Sequence, residues 1–299
     1  MPKISHYRYS GRKQVNLKDI PTKHTDGFGK KSEGKEHLQK NIARMMELQD
    51  KLYAEDKQSL LIILQAMDAA GKDGTIKHVM EGLNPQGTEV YSFKQPSLEE
   101  LDHDYLWRVH SRTPERGRIG IFNRSYYEDV LVVRVHKLAK PLINLEKADE
   151  AEFWKQRFRQ IRDFERHLTE NGTTIVKFFL HLSKEEQKQR FLDRIDDPSK
   201  NWKFSESDIR EREFWDDYQH CYEEAIQATG AKYAPWYVIP ADKKWFSRAL
   251  ISEILVQTLE AMNPAYPSLS KRQLQQLGEC KEHLLAEDGS KPEKDKEND

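Results

Sequence analysis

Apolar residues follow two rhythms along this chain. From about Glu33 to Ala54, residues Leu38, Ile42, Met45, Leu48 and Leu52 recur at helical spacing, which predicts a helix with one buried face. Leu60 to Leu64 is continuously apolar, the pattern of a central parallel strand covered on both faces. A helix is predicted from the glycine-containing turn that follows to about Leu83, where Asn84-Pro85 stops it. Glu89 to Phe93 reads as a second strand. Ser97 and Glu100 form a capping-box pattern that opens a helix through Leu101, Tyr105, Leu106 and Val109. Gly117 to Asn123 reads as a third strand, followed by a helix through Val130, Leu131, Val133 and Val135. From about Asp149 to Thr169 the stripe Trp154, Phe158, Ile161, Phe164 and Leu168 predicts a helix packed on the core. Thr173 to Leu182 is a fourth strand, capped into the next helix by Ser183 and Glu186. Phe214 to Ala228 is helical, Pro235 to Pro240 is a fifth strand, and Lys243 to Met262 is a closing helix. Strands alternating with helices predict an α/β fold: a five-stranded parallel sheet between two helical layers.

Three stretches break the rhythm. Residues 1–32 are polar and net basic, and read as an extended arm that packs on the body or on a neighbouring subunit. Residues 33–264 form the α/β domain. Within it, Gln187 to Arg212 mixes Lys188, Arg190, Arg194, Lys200, Lys203, Arg210 and Arg212 with Asp193, Asp196, Asp197 and Asp208, without a long apolar stripe. This predicts a helix–loop–helix lid over about residues 190–212, facing the ligand; a solvated charged face is the alternative. Residues 265–299 are expected to be a charged, disordered tail.

Bulk properties narrow the function classes. The chain has 299 residues, 37% hydrophobic and 33% charged, with a formal net charge of −1. No global basic field points to nucleic acid, so attraction for a polyanion has to come from local clustering. The two cysteines, Cys221 and Cys280, are far apart and make no metal-type pair. No apolar run is long enough to span a bilayer, and the N-terminus lacks a signal-peptide core. A cytoplasmic protein is expected.

The chemistry concentrates after the first strand, in Ala66-Met67-Asp68-Ala69-Ala70-Gly71-Lys72-Asp73-Gly74-Thr75. A strand, a small-residue turn and a helix with a lysine at its mouth make a phosphate cradle. Gly71 and Gly74 let the backbone approach an anion, the loop N–H groups point at it, and Lys72 adds a full charge. The usual pattern has glycine at the first place and Ser or Thr after the lysine. Here Ala66 and Asp73 stand there, and Asp68 places a carboxylate inside the turn. A tight structural turn is the alternative. Ligands of parallel α/β sheets sit at the carboxyl ends of strands. Asn123, Arg124, Glu128 and Asp129 end the third strand, so they reach the loop if the two strands are neighbours; otherwise they are helix-start acids and a cap.

A nucleotide kinase needs an anion cradle, a magnesium site, arginines for the charge in flight and a lid. The loop supplies the first, Asp68 and Glu128 are candidates for magnesium, and Arg124, Arg134, Arg190 and Arg194 are candidates for the third. Lys77, Arg112, Arg116, Lys188 and Arg190 are candidates for a row of cations along a polyanion. An NTP-dependent nucleotide kinase and a nucleotide-binding switch share the cradle.

At these residues the chain resembles the polyphosphate kinase type 2 family. Leu64 to Ile76 is similar to its Walker A segment, including the loop aspartate and the Asp after the lysine. Phe122-Asn123-Arg124-Ser125-Tyr126-Tyr127-Glu128-Asp129-Val130-Leu131-Val132-Val133-Arg134-Val135 is similar to its Walker B segment. Asp197 to Ser205 resembles its lid, and Tyr233 to Asp242 its last strand. The resemblance runs over about residues 30–262. It implies a P-loop kinase fold and magnesium-dependent (manganese is also accepted chemically) transfer from inorganic polyphosphate to AMP, ADP or both. It also implies a homodimer or homotetramer. By the same resemblance Asp68 handles metal and orients or deprotonates the acceptor, and Lys72 holds the group in transit. Arg124, Arg194 and Asp208 match positions at the Walker B end and on the lid. Glu128 matches the members that accept both AMP and ADP. Asn123, where an Asp would be an obvious ligand, shifts metal binding towards Asp68 and Glu128.

Overall fold

A computed structural model gives the structure, described here for residues 2–11, 14–139 and 149–287. Six strands form one sheet: β1 Arg8–Tyr9, β2 Ser59–Ala66, β3 Thr88–Ser92, β4 Ile119–Asn123, β5 Thr173–His181 and β6 Trp236–Pro240. Their order is β1-β6-β5-β2-β4-β3. The five expected strands are all present and parallel to their neighbours. The sixth, β1, is an addition: it pairs antiparallel with β6 through Arg8↔Tyr237 and Tyr9↔Trp236. Two residues are too few to show a period, so no strand signal is legible there.

The arm that carries β1 packs on its own domain. Tyr7, Tyr9, Val15 and Leu17 are buried. The N–H groups of Val15 and Leu17 donate to Gln227 and Glu223 at 2.9 and 2.7 Å.

β2 lies at the centre with every residue buried, as its unbroken apolar run requires. One face is covered by helices Lys31–Glu55, Lys72–Val79 and Lys244–Met262, joined to the sheet by a core through Leu38, Met45, Leu60, Phe178, Leu250 and Ile254. The other is covered by helices Glu150–Glu170 and Trp215–Thr229, through Phe122, Phe158, Ile161, Tyr222 and Trp236. Both faces of the sheet are thus sealed, and ligands are left the strand ends.

Several elements differ from expectation. The helix after the loop stops at Val79 rather than near Leu83. The predicted helix beyond Ser97 is two short pieces, Leu98–Leu101 and Trp107–His110, although the Ser97–Glu100 capping box forms. After β4 the chain makes a 3-10 turn, Tyr126–Val130, before the short helix Val132–Val135. The expected disordered tail contains a helix, Lys271–Glu287; its remaining residues, 288–299, lie outside the described residues.

Candidate active site

β2 and β4 are hydrogen-bonded neighbours in parallel register, with Leu64 opposite Asn123. Their carboxyl ends therefore deliver the glycine loop and the Asn123–Asp129 segment to one place. The loop is built from unusual backbone. Ala69 (φ 61°) and Gly71 (φ 104°) are left-handed, as is Arg124 (φ 65°) on the facing segment. An alanine or arginine held there stores strain of about 1–3 kcal/mol, which persists only where the surroundings over-determine it. Here they do. Arg190, 4% exposed, donates to the carbonyls of Ala69 and Ala70 (3.1 and 2.8 Å) and of Ala241 and Asp242 (2.6 and 3.1 Å). Gln187 donates to the Asp68 carbonyl at 2.9 Å and accepts from Arg212 at 2.6 Å. The start of helix Lys184–Asp196 is thus riveted to the back of the loop.

In front of the loop lies an open cleft of about 910 Å³. Its lining includes Asp68 to Thr75, Asn123, Arg124, Arg190, Arg194 and Asp208, all predicted site residues. Lys72 Nζ donates to the Ala66 carbonyl at 3.0 Å. Burial lowers its pKa, with Asp68 acting in the opposite sense. Arg124 Nη2 lies 3.3 Å from Asp68 Oδ1 and its Nη1 lies 4.0 Å from Glu128 Oε2. Asn123 donates through Nδ2 to Asp73 Oδ1 at 2.8 Å, and its buried Oδ1 has no partner. Arg194 is 3.8 Å from Asp208, tying helix Lys184–Asp196 to helix Glu206–Glu211. Burial and then the charge of Asp68 raise the pKa of Asp208.

A second, smaller cavity of about 270 Å³ shares Asp68, Arg124 and Asp208 with the cleft and is otherwise lined by Glu128, Glu211, Tyr218 and Tyr222 among others. Glu128 belongs to this cavity rather than to the cleft. Burial raises its pKa while Arg124 lowers it. Gln65 satisfies its neighbours when its amide nitrogen donates to Glu128 Oε1 (2.9 Å) and its oxygen accepts from Ser125.

Six assigned cations do not take the expected places. Arg112 and Arg116 line neither the cleft nor the smaller cavity; Arg112 stacks on Tyr91 instead. Lys77 and Lys188 are exposed and line neither cavity. Arg134 pairs with Glu224 and stacks on Trp154. Arg190 lines the cleft, but four backbone carbonyls take up its guanidinium. Beside the assigned Lys72, Arg124 and Arg194, the cleft is lined by cations that had no assigned role in the site: Lys94, Lys200, Lys203, Lys244, Arg248 and, when protonated, His78. Lys244 and Arg248 stand one turn apart at the start of the helix after β6, a strand end like the others, and that rule was the available signal. Desolvation and the charge of Arg190 lower both pKa values, and neither forms an ion pair among the described residues. A Cβ on Gly74 would lie 3.2 Å from Arg248 Nη2 and would push the guanidinium aside by a few tenths of an ångström. Two crowded cations that form no ion pair make a site for an anion.

Among the described residues no three His, Cys, Asp or Glu side chains cluster as a metal site. Magnesium asks for less, being commonly held by one or two carboxylates plus substrate phosphates. Asp68 at the mouth of the cradle fits that requirement, with Glu128 in the adjoining cavity as the second carboxylate.

A parallel sheet carrying a glycine–lysine loop, an arginine-bearing neighbouring strand end and a basic cleft defines a P-loop kinase-like phosphoryl-transfer enzyme. The chain matches the polyphosphate kinase 2 (PPK2) family over residues 29–267, and it belongs to that family. It is 46% identical over 288 residues to an ADP-polyphosphate phosphotransferase of Rhodopseudomonas palustris, covering 95% of this chain and 99% of the relative. It is 49% identical over 265 residues to an AMP/ADP-polyphosphate phosphotransferase of Meiothermus ruber, covering 88% and 96%. The crystal structure of polyphosphate kinase 2 from Arthrobacter aurescens TC1 superposes with a TM-score of 0.83 at 42% identity, covering 91% of this chain and 94% of that one.

Proposed function

We propose that the protein transfers the terminal phosphoryl group of inorganic polyphosphate to AMP and ADP, giving ADP and ATP. The observation that carries this reading is the pairing of two unlike cavities across Asp68, Arg124 and Asp208. The long basic cleft suits a phosphate polymer. The small acidic and aromatic cavity suits a nucleoside, whose amino and hydroxyl groups donate to carboxylates and whose base packs on Tyr218 and Tyr222.

In this reading the acceptor phosphate lies at the shared wall, beside Arg124. One of its oxygens attacks the terminal phosphorus of the polymer. The P–O bond to the penultimate phosphate breaks, and its electrons stay on the shortened chain. Lys72 and the loop N–H groups hold the moving group, and Arg124 and Arg194 balance its charge. A phosphate monoester has a second pKa of about 6, so the acceptor is already largely deprotonated at neutral pH. Asp68 therefore serves orientation and metal binding more than proton removal. A magnesium ion held by Asp68 and substrate oxygens supplies charge neutralisation when bound. The segment over about residues 190–212 acts as the lid, anchored at its ends by Arg190 and Arg212.

The test is incubation with AMP, magnesium and polyphosphate, with and without ATP. ADP and then ATP are expected without added ATP; product only when ATP is supplied would sink the polyphosphate reading. Glu128→Asn should raise KM for AMP about tenfold, as loss of one charged hydrogen bond does. KM for ADP should change less than about twofold in the same comparison. Equal losses would remove Glu128 from acceptor choice. Polyphosphate binding should weaken at least about tenfold between roughly 50 and 200 mM salt, because counterions are released from a polyanion. Lys244→Gln should flatten that slope, and a slope unchanged by it would take this lysine out of the donor's path.

A further inference from the structure

The family match ends at residue 267, four residues before helix Lys271–Glu287 begins. All of this helix is exposed, including Leu274, Leu277, Leu284 and Leu285 at 48–64% of their surface. An isolated helix of this length is marginal in water, and most helical stability in proteins comes from a packed apolar face. Its leucines make such a face. Leu274, Leu277, Lys281 and Leu284 fall on alternate three- and four-residue steps, the seam of a coiled coil with one polar position.

We infer that this helix pairs antiparallel with the same helix of a second copy of the chain. Charge selects that partner and that direction. The first eight residues carry Lys271 and Arg272 and no acid; the last nine carry Glu279, Glu282 and Glu287 against Lys281 alone. Antiparallel pairing sets the basic end of one helix against the acidic end of the other, and the two helix dipoles also oppose. Parallel pairing would set like ends together. With Leu274 opposite Leu284 of the other copy, Leu277 meets Lys281, and the two-fold axis passes beside residue 279. Cys280 then lies next to the axis and next to its own symmetry mate. The other cysteine, Cys221, is buried in the domain.

This arrangement makes Cys280 a reporter in the full-length protein. A short bis-maleimide should join two chains in the native protein and in Cys221→Ser, and should fail in Cys280→Ser. Leu277→Glu with Leu284→Glu should lower the covalent dimer yield at limiting concentration about tenfold, the equivalent of roughly 1.4 kcal/mol. The helix touches little else, so the melting temperature and polyphosphate-dependent rate of that variant should match those of the native protein. No covalent dimer in the native chain, or a yield that the two glutamates leave unchanged, would overturn the pairing.

Discussion

Lys72→Ala should reduce the rate of polyphosphate-dependent AMP phosphorylation about a hundred- to a thousandfold, the usual effect of removing one preorganised charge-stabilising donor. The loss should fall on kcat. Lys72 stands at the mouth of helix Lys72–Val79 with its ammonium turned back to the Ala66 carbonyl, poised for the equatorial oxygens of the group in transit and the charge that builds on the leaving oxygen. The fold should survive. One hydrogen bond, worth about 1 kcal/mol net, is lost, and the desolvation that lowers the Lys72 pKa is relieved with it. Asp68→Asn should be as damaging to the rate and weaken magnesium binding as well, since an amide keeps the shape but not the charge that faces Arg124. Initial rates beside thermal melts separate the two effects. A Lys72→Ala enzyme within threefold of native turnover would end the loop's assigned role.

The loop was legible because its signals are local. An apolar strand, two glycines and a lysine sit within fifteen residues, and the departures at Asp68 and Asp73 made the pattern more specific. The five parallel strands were legible for the same reason, being apolar runs between turn residues. The wall opposite the loop was not. Lys244 and Arg248 are some 170 positions away and read as ordinary charges on a helix until the sheet order brings β6 to the same end. Arg190 shows the reverse error. Its charge and position fit a phosphate ligand, yet its carbonyl partners make it a rivet for strained backbone, and carbonyl geometry leaves no trace in sequence. Arg112 and Arg116 are near β4 in sequence, yet neither lines the cleft, and Arg112 is taken up by the Tyr91 ring.

A lysine within the buried run Thr173 to Leu182 was the one local sign of a further structure behind the site. Lys177 and Glu165 are wholly buried and 2.6 Å apart. Lys177 also donates to the Tyr127 hydroxyl and the Thr229 carbonyl, both at 3.0 Å. Tyr126 and Tyr127 donate to Glu165 Oε1 at 2.8 and 2.7 Å. These tyrosines immediately precede Glu128, so the pair fixes the turn that carries a wall of the acceptor cavity. Lys177→Met should destabilise the fold by about 3–5 kcal/mol, because it strands a carboxylate in the interior. The midpoint of melting should fall by about 6–15 °C. Adding Glu165→Gln removes the stranded charge while its amide oxygen still accepts from both tyrosines. The double variant should therefore recover more than half of the lost stability, a coupling that two independent sites would not show. Its KM for AMP should stay above the native value, since the ammonium that held Tyr127 and Thr229 together is gone. Melting curves of the four proteins in this cycle decide the matter: additive losses, or a Lys177→Met protein that melts with the native one, would show that the pair does not anchor the turn.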